Sequence, residues 1–281
     1  MAAHHVLPRG AFAGQRALVT GGGTGLGLAI STRLGLLGAT IVCASRSQHH
    51  HATLVQRGEE HGFRVLSRPL DVREPDQVRT LVEEVVPELG GLDVLINNAA
   101  GNFIRPALKM SPRAFATVID IALNGVFYVS REVGRVMERQ GSGAIVNITA
   151  PYAFSGKPGV VHSACAKAGV DTMTRTLAAE WAPHGIRVNA VSPGPFQTAG
   201  AAQRLWPSEE IEEAIRKEIA LGRFGDVEEV AEVVCYLASP AAAWITGAVW
   251  SVTGGWDLPQ PMGGLDLRSI GRRRDSPPKG Q

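Results

Sequence analysis

Short apolar runs alternate along the chain with longer segments whose apolar positions recur at helical spacing. The runs predict strands at Arg16–Thr20, Thr40–Ser45, Arg64–Leu70, Leu92–Asn97, Ala144–Thr149, Ile186–Ser192 and Ala248–Thr253. Helical spacing predicts helices at Leu26–Leu37, Gln48–His61, Pro75–Leu89, Pro112–Gln140 in two segments, Ser163–Pro183, Ser208–Ala220 and Asp226–Leu237. Pro75 and Pro112 stand at helix starts, Ser111 precedes the second as a cap, and Ser208-Glu209-Glu210-Ile211-Glu212 resembles a capping arrangement. Strand and helix alternating through a whole chain predict an α/β fold, a parallel sheet with helices on both faces. Such sheets bind ligands beyond the carboxyl ends of their strands, here just after Thr20, Ser45, Leu70, Asn97, Thr149 and Ser192.

A phosphate-binding device stands directly after the first strand. Arg16–Thr20 runs into Gly21-Gly22-Gly23-Thr24-Gly25-Leu26-Gly27, which opens a helix. A helix N-terminus offers unpaired N–H groups and the positive end of its dipole, so a pyrophosphate is favoured there if no side chain blocks it. Gly21 permits the tight turn, Gly25 lets the backbone approach the phosphates, and Gly27 lets the helix pack on its strand. The second strand then bears on which dinucleotide is held. Binders of NAD place a carboxylate about 20 residues beyond the glycines, and binders of NADP offer a cation to the 2′-phosphate. Ala44-Ser45-Arg46 has no carboxylate but has a hydroxyl and a guanidinium, which predicts NADP(H). Asp71-Val72, after the third strand, is placed to meet the adenine.

Composition narrows the partners. A chain of 281 residues suits one domain, which we expect over residues 10–258, followed at 259–281 by a basic Pro- and Gly-rich tail expected to be disordered. A net charge of +2 leaves no electrostatic footprint for nucleic acid. Cys43, Cys165 and Cys235 are scattered, read as buried small hydrophobes, and fit a reducing compartment with no disulfide framework and no metal site. No signal segment and no apolar run long enough for a bilayer is read, so a soluble cytoplasmic protein without membrane partners is expected. His49, His50 and His51 are consecutive, cannot share a helix face, and read as a solvated helix start.

The glycine turn, Asp71-Val72, Asn97-Asn98-Ala99-Ala100-Gly101, Asn124, Lys167 and Ser192-Pro193-Gly194 together resemble the short-chain dehydrogenase/reductase family over residues 10–258. The resemblance implies a Rossmann-type doubly wound sheet of about seven strands, hydride transfer with a nicotinamide cofactor, and a homo-oligomer, a tetramer being favoured. It also implies cofactor contacts from Gly21, Gly23, Thr24, Gly25, Leu26, Gly27, Ser45, Arg46, Asp71, Val72, Asn98, Ala99, Lys167, Pro193, Gly194 and Thr198. Asn124 reads as structural, bonding the backbone of a helix bend.

One departure stands out. The family has a proton-donating Tyr four residues before its Lys and a Ser after the fifth strand, whereas this chain has Ser163 and Ala150 there. A Tyr does occur on the loop leaving the fifth strand, at Tyr152, and Asn102 follows the fourth. Ketone reduction brings acid and hydride to one C–O bond. Reduction of a conjugated thioester separates them, because charge runs through the double bonds to a distant oxygen, and the donors must sit there. Asn102, Tyr152, Ser163 and Lys167 resemble the 2,4-dienoyl-CoA reductase branch, particularly its mitochondrial-type members. By that resemblance Asn102 and Tyr152 hold the thioester oxygen, Ser163 supports them, and Lys167 binds the nicotinamide ribose, in a reaction of fatty-acid β-oxidation with an acyl-CoA substrate.

Each residue also has a structural reading. Tyr152 covers the pocket mouth, Asn102 closes its own loop by an Asx-type bond, and Ser163 caps its helix. Lys167, on an apolar face, needs a partner in any reading. The alternatives are a trans-2-enoyl-CoA reductase, then a 3-ketoacyl or alcohol dehydrogenase, then an inactive nucleotide-binding scaffold. Pro195–Gly222 reads as a cover over the acyl chain, ordered by ligand.

Overall fold

The computed structural model describes residues 6–197 and 208–258. Seven strands form one parallel sheet: β1 Arg16–Thr20, β2 Thr40–Ser45, β3 Val65–Pro69, β4 Val94–Asn97, β5 Gly143–Ile148, β6 Ile186–Pro193 and β7 Val249–Val252. Their order is β3-β2-β1-β4-β5-β6-β7. β1 pairs β2 on one side and β4 on the other, with Thr20 opposite both Ala44 and Asn97. The chain reverses its direction of winding there, so the ends of β1 and β4 open a crevice where this fold class holds its ligands.

The apolar runs are strands because both faces of the sheet are covered. One core layer joins Val19, Ile41, Ile96 and Val146 to Ile30 and Leu34 of α1 (Gly25–Leu36) and to Val230 and Val234 of α9 (Val227–Ala238). The other joins Leu18, Val42, Leu95 and Ile145 to Val78, Val82 and Val85 of α3 (Pro75–Leu89) and to Val129 and Val133 of α5 (Gly125–Gln140). Ser111 caps α4 (Pro112–Ile119), its Oγ accepting from the N–H of Ala114 at 3.2 Å. Ser208 caps α8 (Glu209–Glu218) in the same way, through the N–H of Ile211. The remaining helices are α2 (Ala52–His61), α6 (Tyr152–Ser155) and α7 (Val161–Trp181).

Several expectations are corrected. Gln48–His51 is a separate 3₁₀ turn, and His51 is 1% exposed rather than solvated. Consecutive residues on a tight turn diverge, so one of the three points inward although they share no face. Cys43 and Cys235 are buried, which pushes the Cys43 thiol up to about 12, but Cys165 lies on the outer side of α7 and is exposed. Between α4 and α5 the chain makes a π turn at Asp120–Asn124, and the Asn124 amide donates to the Asp120 carboxylate at 2.8 Å, a side chain rather than backbone. Pro112–Gln140 is thus one continuous helical rod that is, by length and composition, apolar enough to cross a membrane, contrary to expectation. Part of its apolar face packs on the sheet, where Val129, Val133, Val136 and Met137 join the core layer, and part on α7 through Val118 and Ala122, while Phe127 is exposed and Arg131 and Arg135 pair with Glu132. The basic tail lies outside the described residues.

Candidate functional site

The glycine turn is built as a tight backbone knot. Gly21 has φ +65° and donates its N–H to the Ala44 carbonyl at 2.7 Å, tying the turn to β2. Asn98, just past β4, donates its amide to the carbonyls of Thr20 and Gly21, both at 3.1 Å. Thr20 Oγ1 accepts from the N–H groups of Asn98 and Ala99. Asn98 is therefore a brace for the turn. A Cβ on Gly27 would collide with the Gly21 carbonyl and stand 2.6 Å from the Asn98 amide; one on Gly23 would collide with the His50 carbonyl. Thr24 precedes α1 without capping it, and no acidic residue occupies the first turn, so that helix end keeps its donors for an anion.

The turn faces a cavity of about 870 Å³ lined by the ends of β1, β2, β4, β5 and β6. Of the expected cofactor residues, Gly21, Gly23, Thr24, Leu26, Gly27, Ser45, Arg46, Asp71, Val72, Asn98, Ala99, Lys167, Pro193 and Gly194 line it. Gly25 does not line it and serves instead as the first residue of α1 at φ +51°. Thr198 lies outside the described residues. Arg46 is exposed and forms no hydrogen bond or ion pair with another described residue, so its guanidinium is available to a ligand. Ser45 Oγ donates to the Ser47 carbonyl at 3.2 Å and lies 2.7 Å from His51 Nε2. Arg73 holds the Asp71 carboxyl below the usual carboxylate range.

At the other end of the cavity the four expected catalytic side chains come together. Asn102 Nδ2 donates to the Tyr152 hydroxyl at 3.2 Å, and that hydroxyl lies 3.1 Å from Ser163 Oγ. Asn102 Oδ1 also accepts from the N–H of Phe103 at 2.9 Å, so its Asx-type bond holds the side chain in place without using up the amide. Tyr152 begins the one-turn helix α6, where the sequence predicts loop; a single turn is too short to show periodicity. Burial pushes the Tyr152 phenol up, the Ser163 bond opposing, so it remains an O–H donor at neutral pH. Ser163 is not a cap, since it lies inside α7, where its N–H is taken by His162 Nδ1 at 2.7 Å. His162 is fully buried, edge-on to Phe103 with ring centres 4.4 Å apart.

Lys167 is 4% exposed and donates from Nζ to the Ile148 carbonyl at 2.6 Å. Burial lowers its pKa to about 8, against the pull of Asp171 one turn along the same helix. The partner that an apolar face demands is thus a strand-end carbonyl, with a half-buried carboxylate behind.

Three further residues lining the cavity, Lys157, Glu218 and Trp256, form a three-part strap. Lys157 Nζ, on the loop after α6, sits 4.2 Å from the centre of the Trp256 ring and 3.2 Å from Glu218 at the end of α8. Trp256 Nε1 donates to the same Glu218 oxygen at 2.9 Å. An ion pair this exposed is worth ~0–1 kcal/mol. Amide exchange in Glu209–Glu218 is expected to slow when cofactor and acyl-CoA bind together, and Lys157→Ala to erase most of that slowing while sparing cofactor affinity. Exchange unchanged at saturating ligand would remove the cover reading for α8.

Residues 21–257 match the family model described as Enoyl-(Acyl carrier protein) reductase. The chain is 40% identical to a protein of Bacillus subtilis named probable 2,4-dienoyl-CoA reductase, (2E)-enoyl-CoA-producing, over 87% of this chain and 98% of that one. It is 41% identical to the peroxisomal 2,4-dienoyl-CoA reductase of Pongo abelii, named (3E)-enoyl-CoA-producing, over 89% and 86% of the two chains. Among solved structures it is similar to a gluconate 5-dehydrogenase of Burkholderia cenocepacia in complex with NADP and tartrate. That likeness has a TM-score of 0.83 at 33% identity and covers 87% of this chain and 95% of that one.

Proposed function

The chain belongs to the short-chain dehydrogenase/reductase family of oxidoreductases, and from that premise we propose that it is an NADPH-dependent reductase of conjugated acyl-CoA thioesters, converting 2,4-dienoyl-CoA to 3-enoyl-CoA. The observation that carries this is the Asn102–Tyr152–Ser163 hydrogen-bonded line in a cavity whose usual Tyr position is Ser163. The residues present fit the cofactor: the backbone around Gly21, Gly23 and Gly27 leaves no room for a Cβ at two of the three positions, and an unengaged guanidinium stands at the end of β2. When bound, the nicotinamide supplies hydride to the far end of the conjugated system.

The protein's part is to hold the oxygen that becomes charged. If Ser163 donates to Tyr152, the phenol oxygen accepts from both Ser163 and Asn102, and its own hydrogen is left for the thioester oxygen. Accepting two bonds polarises that O–H and makes it a stronger donor. The second N–H of the Asn102 amide is a further donor on the same side. Charge developing on the oxygen strengthens both bonds, so they lower the barrier rather than merely improving binding. With the donors gathered at the oxygen, protonation by water falls at the adjacent α-carbon and leaves the remaining double bond at position 3. The relatives named above differ in this product, which makes it a direct test.

Consumption of NADPH with 2,4-hexadienoyl-CoA, crotonyl-CoA and acetoacetyl-CoA, side by side with product identification by NMR, tests the reading. We expect the dienoyl substrate to be used fastest and a 3-enoyl product. A preference for crotonyl-CoA would select the enoyl reductase alternative, and no oxidation with any of the three would leave a nucleotide-binding scaffold. The reading carries with it a cytoplasmic homo-oligomer, tetramer favoured, to be measured by sedimentation.

Cofactor choice is tested separately. NADPH is expected to bind tens of fold more tightly than NADH, since a charge-assisted bidentate contact is worth on the order of 2 kcal/mol. Arg46→Ala should remove most of that difference, and Ser45→Asp should reverse it by setting a carboxylate against the 2′-phosphate. Equal affinities in the unmodified protein would overturn the assignment.

A further inference from the structure

The unexpected inward turn of His51 places a buried imidazole behind the end of β2, between two serines. His51 Nε2 lies 2.7 Å from Ser45 Oγ, and His51 Nδ1 lies 2.7 Å from Ser67 Oγ on β3. With the Ser45 hydrogen on the Ser47 carbonyl at 3.2 Å, Ser45 Oγ accepts from the ring and Nε2 is the protonated nitrogen, an assignment made from the hydrogen-bond network. Nδ1 is then the acceptor of the Ser67 hydroxyl, whose oxygen faces the amide of Gln48. Burial first, and the neighbouring His50 second, lower the His51 pKa, which favours the neutral ring. The ring also lies against the phosphate-binding turn: a Cβ on Gly23 would come within 2.9 Å of His51 Cδ2.

We infer that His51 is a positioning residue for cofactor choice, one that holds Ser45 as a hydrogen-bond donor toward the 2′-phosphate beside Arg46. The inference rests on the NADPH reading given above. With Ser45 Oγ accepting from Nε2–H, one lone pair is filled and the single hydrogen is left to donate. In the free protein the Ser47 carbonyl takes the hydrogen; with an anion at Arg46 the hydrogen has a charged acceptor, and the bond from His51 strengthens it. A ribose hydroxyl gives no such gain, because it carries no charge. An imidazole thus contributes to telling NADPH from NADH without touching either.

The test is equilibrium binding by calorimetry of NADPH, NADH, 2′,5′-ADP and 5′-AMP, with no substrate present. His51→Leu should weaken NADPH and 2′,5′-ADP by about fivefold, the worth of one ordinary hydrogen bond, and leave NADH and 5′-AMP unchanged. His51→Gln, which keeps an N–H donor at the reach of Nε2, should retain most of the preference. In a Ser45→Ala background His51→Leu should have no further effect on the ratio, since the path to the phosphate is already cut. Should His51→Leu fail to fold, Ser67→Ala leaves the ring packed but frees Nδ1, and the NADPH to NADH ratio should fall in the same direction. Equal loss for all four ligands would make His51 a packing residue and overturn the inference, as would an unchanged ratio in His51→Leu or Ser67→Ala. A protein that binds NADPH and NADH equally before any substitution overturns the cofactor reading itself. Preference intact in both the parent and the His51 variant overturns only the relay.

Discussion

Tyr152→Phe is expected to lower turnover on a 2,4-dienoyl-CoA by about 10²–10³-fold while leaving NADPH affinity nearly unchanged, the usual cost of losing one donor to a developing oxyanion. The phenol has no other chemical task in the cavity: its neighbours are the Asn102 amide and the Ser163 hydroxyl, and burial keeps it protonated. Its bond to substrate strengthens only as charge arrives, so the loss belongs in kcat rather than in KM. Asn102→Ala should cost a similar factor, and the double variant less than the product of the two, since the amide acts partly through the phenol. Ser163→Tyr, which restores the family's usual arrangement in sequence, should not rescue dienoyl reduction. A phenol at 163 would compete with Tyr152 for the space now spanned by 3.1 Å and would sit away from the thioester oxygen. Near-full activity of Tyr152→Phe with the dienoyl substrate would overturn the phenol as the donor to the thioester oxygen.

Legibility in the sequence depends on whether a feature is periodic or local. The seven strands and the α1, α3 and α9 helices lie within a few residues of their predicted places because each buries a continuous or recurrent apolar face, which one chain shows by itself. The glycine turn is legible because sterics at Gly27 tolerate nothing larger. The bond between Asn102 and Tyr152 crosses 50 positions of sequence and is expected from chemistry plus resemblance, not from spacing. His51 escapes a reading of sequence because a run of three like polar residues gives no sign of which one turns inward; only β3, which brings Ser67 beside it, decides that. The long rod at Pro112–Gln140 escapes it for a related reason, since its apolar residues count as two separate stretches until the π turn lets them continue. Asn98 is expected at the cofactor, and it is found bracing the turn, which is a backbone role no residue count reveals.

Lys167→Ala is expected to weaken NADPH binding by about tenfold to a hundredfold and to lower turnover as well, since the proposed contact is a charge-assisted pair of hydrogen bonds to ribose hydroxyls. This separates it from Tyr152→Phe, which spares binding. The pH dependence gives a second, sharper signature. In the free protein Lys167 has a pKa of about 8, held down by burial and partly restored by Asp171. The cofactor favours the ammonium form, so the bound pKa lies higher, and between the two values binding takes up a proton. NADPH affinity should therefore be flat on the acid side of about 8 and fall as pH rises through it, by at most tenfold per pH unit. The same depressed pKa works against folding wherever the chain would otherwise hold the proton: the cost is fully present below about 8 and is relieved as pH rises toward the ordinary lysine value. Binding and folding should thus respond to alkaline pH with opposite signs through one side chain. Lys167→Gln should flatten both profiles together. An NADPH affinity that falls across the same range in Lys167→Gln would assign the titration to another group and remove Lys167 from the cofactor.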